Sequence, residues 1–290
     1  MSTTKLGVIG GSGLYDFPGL EIVERVEVVT PFGLPSDRLT IGRLGATTIV
    51  FLPRHGEGHR LTPTELPYQA NLYALKQLGV THLVTVSAVG SLKESLPPLT
   101  IVIPDQIIDR TVARPRSFFG DGIVAHVGIA DPFCPRLTIA LLDAARSAGI
   151  PVVHGGTYVC IEGPQFSTRA ESNLYRSWDA SVIGMTAMPE ARLAREAEMC
   201  YATIAMVTDY DVWHETESAV TVEMVIANLH RNTAMARDMI RALAQAGLPE
   251  RTCPCGNALQ NAIVTSPDAI TPEIRRQLGV IGARYLAPTE

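Results

Sequence analysis

Nowhere does the chain approach the roughly 18 consecutive apolar residues that a membrane-spanning helix requires, so a transmembrane reading is set aside. It also lacks a basic surplus. With 24 Lys and Arg against 29 Asp and Glu, the formal charge is -5, which leaves no broad cationic face for a nucleic acid or an anionic membrane. Cysteine is sparse and odd in number. Cys134, Cys160, Cys200, Cys253 and Cys255 are scattered, which argues against the disulfide framework of a secreted protein. No secretory signal is visible either: Met1 to Thr4 is polar, and the apolar run at residues 6–9 meets Gly10-Gly11 too soon for a signal core. Internal repeats and low-complexity linkers are missing as well. The expectation is a cytoplasmic α/β protein with neither nucleic acid nor membrane as partner.

What is present is enough apolar material, 46% of 290 residues, for a large core. Continuous apolar runs at residues 6–9, 48–52, 82–86, 100–103, 157–161, 180–185 and 202–207 predict strands buried on both faces. Amphipathic patterns at 66–78, 136–148, 188–199 and 221–244 predict helices between and after them. The alternation implies one domain, residues 1–247, built on a mixed, mainly parallel sheet covered by helices. From about Leu248 the composition changes to Pro249, Pro254 and Gly256, then a short helical pattern at 272–278. Residues 248–290 read as a C-terminal extension that packs on the main domain, with Cys253 and Cys255 as reduced surface thiols.

Several predicted strands run into groups suited to an anion. The first enters Gly10-Gly11-Ser12-Gly13, where glycines let backbone amides approach a ligand and a hydroxyl adds a donor; a plain tight turn fits the residues equally. A Rossmann fingerprint fails because Asp16 stands where its third glycine would fall, and no Lys-Ser or Lys-Thr follows to make a Walker loop. The second strand in this series ends in Pro53-Arg54-His55-Gly56. Arg is the natural two-pronged phosphate donor, and the carboxyl ends of such strands are where α/β sheets bind ligands. His59 stands four residues after His55, but Gly56 and Gly58 between them disfavour the helix a metal pair would need, so no metal is expected. A third strand enters Ser87-Ala88-Val89-Gly90-Ser91. Recurrence at the same kind of position is the signal.

Downstream, Glu162 to Glu171 is a polar loop entering a helix, strand 180–185 is followed by Thr186 and by Pro189-Glu190, and strand 202–207 by Thr208-Asp209-Tyr210-Asp211. Two carboxylates two residues apart share a side if the backbone stays extended. A solvated turn is the plainer reading of them; purine recognition beside an anion site is the sharper one.

Taken together, these strings resemble the methylthioadenosine phosphorylases, a branch of the trimeric purine nucleoside phosphorylases. The resemblance covers about residues 6–244. It rests on Thr30-Pro31-Phe32-Gly33-Leu34-Pro35-Ser36-Asp37, Arg54-His55-Gly56, Tyr68-Gln69-Ala70-Asn71, Asp105-Gln106-Ile107-Ile108-Asp109-Arg110-Thr111, Glu162-Gly163-Pro164-Gln165-Phe166-Ser167, Met185-Thr186 with Pro189-Glu190, and Thr208-Asp209-Tyr210-Asp211.

The resemblance implies that Ser12, Arg54, His55, Ser87, Ala88 and Thr186 hold phosphate; relatives usually carry Thr where Ser12 and Ser87 stand. It implies Met185 against the ribose, Phe166 near the base, and Asp209 and Asp211 on adenine, with Asp209 as general acid. His126 would reach a neighbouring subunit's pocket, Val222 and Val225 would line the methylthio slot, and Ser167 would bear on substrate choice. It further implies a homotrimer, alone or as a dimer of trimers. Phosphate is the co-substrate and no cofactor is needed. The activity implied is phosphorolysis of 5'-methylthioadenosine in methionine and purine salvage, with cleavage of other purine nucleosides or methylthioinosine as the near alternative. Those relatives tend to have Asn where Asp209 stands. A hydrolytic nucleosidase would not need Arg54-His55, and a non-catalytic nucleotide-binding module is a further alternative. Similar tails in heat-adapted relatives can carry oxidised cysteines.

Overall fold

The computed structural model describes residues 4–14, 19–214 and 222–286, with the side chains of Ser12 and of residues 222–227 outside the description. In chain order the first elements are β1 (Lys5–Gly10), a 3-10 turn (Ser12–Leu14), β2 (Glu21–Val26), β3 (Leu39–Leu44), β4 (Thr47–Pro53), α1 (Tyr68–Gln77) and β5 (Val80–Ser91). They continue with β6 (Ile101–Ile103), β7 (Gln106–Arg110), α2 (Pro135–Ser147), β8 (Val152–His154), β9 (Thr157–Ile161) and α3 (Arg169–Ser177). The last are β10 (Val182–Gly184), α4 (Ala187–Glu196), β11 (Cys200–Asp209), α5 (Val222–Ala246) and α6 (Pro272–Gly282).

The strands form one sheet in the order β2-β3-β4-β1-β5-β10-β9-β7, with β11 against β5 and β6, and β8 against β6. β4, β1, β5 and β11 run parallel at its centre. Their apolar runs are continuous because both faces are covered. Alternation sends Leu6, Val8, Ile49, Phe51, Val84, Ile204 and Met206 into the core under α2 and α5. Ile9, Val50, Leu52, Leu83, Ala205 and Val207 point the other way, into the core under α1 and α4. Truncating any of these leucines or isoleucines to Ala would cost about 2–5 kcal/mol.

Where the structure departs from the sequence patterns, the cause is local. The apolar run suggests that the strand beginning near His82 ends at Val86; β5 continues to Ser91. Its far half is held on both sides, by β10 in antiparallel register at Gly90 and Ser91 and by β11 in parallel register to Gly90. Ser87 and Ala88 therefore lie within a strand, not beyond its end. Here the sheet forks, and the fork brings residues from both branches to one place. β2 and β3 were not predicted. Among the described residues β2 is an edge strand hydrogen-bonded only to β3, its Ile22 and Val23 about half exposed, so no burial pattern marks it.

Residues 248–286 lie against the rest of the chain. Leu259, Ile270, Leu278, Ile281 and Leu286 join the core containing Leu72 and Tyr73 of α1. The Leu259 amide donates to Glu198 Oε1 at 3.1 Å. The expectation of surface thiols is corrected: Cys253 and Cys255 are buried beside Cys134 and Cys200, in the core under α2 and α5. Among the described residues no helix is long and apolar enough to cross a membrane.

Candidate active site

The register of the central strands sets the anion side. Gly10 at the end of β1 lies beside Pro53 at the end of β4, and the Arg54 amide donates to Gly10 O at 2.9 Å. Ser12 follows immediately in the 3-10 turn; its side chain is outside the described residues. Ser87 on β5 is buried, its hydroxyl 3.4 Å from the Tyr158 hydroxyl of β9. Thr186 is the N-cap residue of α4, yet its side chain makes no capping bond. Its buried Oγ1 makes no hydrogen bond of good geometry among the described residues, although the Tyr158 hydroxyl lies near. A buried hydroxyl without a well-placed partner costs about 1–3 kcal/mol. α4 is kinked at Met188 (φ -116°, ψ 134°), which leaves Thr186 ahead of its regular part. The hydroxyl's position and its buried state are the two features that bear on an anion.

The two histidines behave differently from the arginine beside them. His55 Nδ1 lies 2.8 Å from Leu61 O, which fixes Nδ1 as the protonated nitrogen of the neutral ring. Burial, then the adjacent Arg54 charge, pushes its pKa down to about 4. The ring stacks on His59 with centroids 4.2 Å apart. Neutral His55 thus brings dipoles rather than charge.

Arg54, expected to hold phosphate, is already engaged by the protein. Its guanidinium does not offer a free two-pronged edge: Nε and Nη2 donate to the two Glu190 oxygens at 2.6 and 3.2 Å, and Nη1 donates to Val86 O at 2.7 Å. Both side chains of the pair are almost completely buried. A buried carboxylate must be neutralised by pairing, and Glu190 takes the fork that phosphate was expected to take. Burial raises the carboxyl pKa and Arg54 opposes it, so the two charges exist as a pair. Arg54 is thus bonded to β5 next to Ser87 and to α4 just after Thr186.

The other side of the fork carries acids. Asp209 ends β11 opposite Gly90 of β5. A Cβ at Gly90 would lie 3.0 Å from Asp209 Oδ1 and 3.2 Å from the Asp211 Cβ, so any side chain there would crowd both acids. Asp209 Oδ2 accepts from the Thr208 hydroxyl at 2.6 Å and Oδ1 from the Asp211 amide at 2.9 Å. Burial still raises its pKa. Asp211 adopts a left-handed backbone, φ 54°, which turns its carboxyl inward rather than to solvent. Its Oδ2 is buried and makes no hydrogen bond of good geometry, though the Ser172 hydroxyl lies near; burial pushes the carboxyl up to about 6, Ser172 opposing and the Asp209 charge adding to it. The plainer reading of these acids as a solvated turn is overturned, since both are buried. Asn228 and Asn232 of α5 clamp the strand end by donating to Thr208 O and Val207 O at 2.7 and 2.9 Å.

The remaining candidates fall in three groups. Met185 is half-buried and packs on Gly163, where φ is +70° and a Cβ would meet the Met185 sulfur at 2.5 Å. Phe166, in the same loop, is 49% exposed, whereas Ser167 Oγ is buried without a partner among the described residues. His126 is exposed; its amide donates to Ala262 O at 2.9 Å, and no hydrogen bond among the described residues ties it to its own chain's fork. Val222 and Val225 begin α5, with side chains outside the described residues.

Sequence reading missed the groups that hold these loops. Buried Arg114 donates through Nη1 to Met185 O at 2.6 Å, Met188 O at 2.7 Å and the Tyr68 hydroxyl at 2.9 Å, and through Nε to Glu162 Oε1 at 3.2 Å. Glu162 also accepts from the Val112 amide at 2.6 Å and the Thr64 hydroxyl at 2.5 Å. These bonds overcome partial burial and hold its pKa down to about 2. Arg114 and Glu162 therefore pin the Met185 and Phe166 loops together. No local motif marks Arg114, because its partners lie 46 to 74 residues away. Clefts of about 610 and 510 Å³ lie along the tail around Tyr73, Arg275, Tyr285 and Leu286 and contain none of the fork residues. Convergence of chemistry, rather than cavity size, marks the site.

Comparison with known proteins bears on this arrangement. The S-methyl-5'-thioadenosine phosphorylase of Geobacter sulfurreducens is 55% identical over 282 residues, covering 97% of this chain and 99% of that protein. That of Koribacter versatilis is 53% identical, covering 97% and 96%. Among solved structures, a methylthioadenosine phosphorylase from an antarctic soil metagenomic library superposes with a TM-score of 0.91 at 49% identity, covering 97% and 99%. The Schistosoma mansoni methylthioadenosine phosphorylase in complex with adenine gives 0.81 at 39%, covering 84% and 92%. The family model described as the phosphorylase superfamily matches residues 5–245, which takes in the whole forked sheet and every strand end that meets in it: the chain belongs to that superfamily.

Proposed function

We propose that this chain is an S-methyl-5'-thioadenosine phosphorylase, a pentosyltransferase that uses inorganic phosphate to split 5'-methylthioadenosine into adenine and 5-methylthioribose 1-phosphate. The observation that carries the reading is that one strand, β5, carries buried Ser87 and, at Gly90, meets two buried carboxyls with raised pKa values. The two curated relatives described above, each over 50% identical, carry the same name.

In this mechanism phosphate is the nucleophile, so no covalent enzyme intermediate and no cofactor is required. Thr186, Ser87, Ser12 and the Ala88 amide would donate to it, His55 Nε2 would accept from a protonated phosphate oxygen, and Arg54 would space these groups from behind its bond to Glu190. The C–N bond to the purine lengthens as the ribosyl carbon gains oxocarbenium character, which the adjacent phosphate charge stabilises. Electrons move onto the base, and Asp209 delivers a proton to N7. A neutral carboxyl offers one donor and one acceptor, matching N7 and the 6-amino group of adenine, and Asp211 supplies a second such group. A 6-oxopurine presents two acceptors on that edge and would leave groups unpaired, at about 1–3 kcal/mol each. Met185 would face the ribose, Phe166 the base, and Ser167, Val222 and Val225 would bear on the 5' substituent.

The direct test is adenine release from methylthioadenosine with and without phosphate, with the sugar phosphate followed by phosphorus NMR. Release that is independent of phosphate would instead make the chain a hydrolase.

The subunit assembly belongs to the same reading. His126 is exposed and held by residues near Ala262 rather than by its own chain's fork, which suits a side chain that completes a neighbour's site in a homotrimer. Light scattering is expected to give a trimer or a dimer of trimers, and mixed oligomers of His126→Ala and Asp209→Asn subunits are expected to regain part of the activity lost by each. A fully active monomer would remove this part of the reading. A cytoplasmic enzyme of methionine and purine salvage is the setting that fits.

A further inference from the structure

Four of the five cysteines, far apart in sequence, meet in the core under α2 and α5. Cys134 is the N-cap residue of α2, Cys200 opens β11, and Cys253 and Cys255 flank Pro254 in the tail. All four are buried, and their sulfur atoms lie within 4.8 Å of one another. Cys253 Sγ is 3.5 Å from Cys134 Sγ and 3.4 Å from Cys200 Sγ. We infer that these four thiols form a tetrathiolate site for one zinc ion, a structural site that fastens the tail to α2 and β11.

The geometry favours a tetrahedron over two disulfides. Four sulfurs about 2.3 Å from a common zinc stand about 3.8 Å apart, close to the distances here, whereas a disulfide needs about 2.05 Å and would draw the sulfurs into separate pairs. Cys253 approaches two sulfurs almost equally, as a shared centre requires. Two ligands two residues apart come from the tail, and the others come from places that the Cys134 amide, donating to Tyr201 O at 2.7 Å, holds together. A purely sulfur donor set selects zinc among the common divalent ions, and a set with four protein ligands leaves no open position for chemistry. Each thiol releases its proton to solvent on binding, so the filled centre carries two net negative charges. The N-terminus of α2 partly offsets them.

Position gives the role. β11 runs from Cys200 at one end to Asp209 at the other, about 30 Å of extended chain, so the ion cannot touch a bound nucleoside. It would instead fix the start of the strand whose far end carries both acids, and hold the tail that meets His126 at Ala262. The inference stands independently of the substrate.

The test begins with protein purified without a polyhistidine tag and dialysed free of loose metal. Elemental analysis is expected to find about one zinc per chain. Exchange for cobalt is expected to give thiolate-to-metal charge transfer in the near ultraviolet and the intense visible bands of tetrahedral cobalt. A mercurial that captures the thiols is expected to release the zinc and lower the melting temperature together. Cys253→Ser with Cys255→Ser should abolish stoichiometric zinc. If that variant fails to fold, the wild-type zinc content and cobalt spectrum decide alone. Metal-free protein with five titratable thiols, disulfide-linked cysteines in protein kept under reducing conditions, or stoichiometric iron in place of zinc would each overturn the site.

Discussion

The two sides of the fork in the sheet neutralise buried charge in opposite ways. On the anion side the charged groups are matched to one another, since Arg54 and Glu190 form a buried pair, and His55 is pushed to neutrality. What faces the site there is hydroxyls and a neutral imidazole. On the side with the acids no cation among the described residues meets the carboxyls: Asp209 and Asp211 have neutral hydrogen-bond donors there, and burial moves both toward the protonated form. A phosphate can be met by fixed dipoles while the protein's own charges stay matched behind them. A leaving purine needs a proton, so an acid must be kept where ionisation is costly.

Converting acid to amide on the side with the acids should give the largest effect. Asp209→Asn keeps shape and removes the proton, and is expected to lower kcat/KM for methylthioadenosine by roughly 10²–10⁴-fold, as is typical for loss of a positioned general acid. Relative activity should swing toward methylthioinosine or inosine, since an amide can donate to a 6-oxo group. Full adenine activity in this variant would break the proposed division between the two sides.

Next comes the hidden ion pair. Arg54→Ala strands Glu190 in the core and is expected to cost about 3–5 kcal/mol of stability, read by chemical denaturation. Arg54→Met with Glu190→Leu should recover most of that loss while phosphate KM stays raised, because the spacing of the hydroxyls is gone. Recovery of phosphate KM in the double variant would deny Arg54 its positioning role.

Thr186→Val tests a single donor. Loss of one hydrogen bond to a charged ligand, about 1.5–3 kcal/mol, predicts roughly a 10–150-fold rise in phosphate KM with the nucleoside KM little changed. Equal changes in both would erase the contrast at its anion end.

The smallest effect concerns pH. Asp211 has a folded pKa raised from 3.8 to about 6, so its proton is held below that value and lost above it. Its contribution to stability is therefore present at acid pH and falls away as pH rises through about 6. Adenine affinity measured by calorimetry should weaken by at most about tenfold per pH unit above 6, and the Asp211→Asn variant should flatten that decline. An identical slope in the variant would move the titration to another group.

Sequence alone marks the ends of this comparison better than its interior. Residues 6–9, 48–52, 157–161 and 202–207 announce their strands because parallel strands buried on both faces must be apolar throughout. The order of their ends, and the residue types there, follow from chain sequence. The exposed edge strand β2 leaves no such trace, and neither does the extension of β5 through Ser87 and Ala88, which rests on pairing with β10 and β11.

What the sequence by itself determined is thus the sheet's buried centre, the hydroxyls and acids at its strand ends, and the family resemblance they carry. The tertiary structure alone decided that Arg54 faces Glu190, 136 residues away, that Arg114 ties the Met185 and Glu162 loops together, and that four scattered cysteines share one place. The physical reason is common to all three. Periodicity and strand-end motifs are local, whereas a buried charge or thiol is matched by whatever the fold brings within a few ångströms, and sequence separation carries no record of that distance.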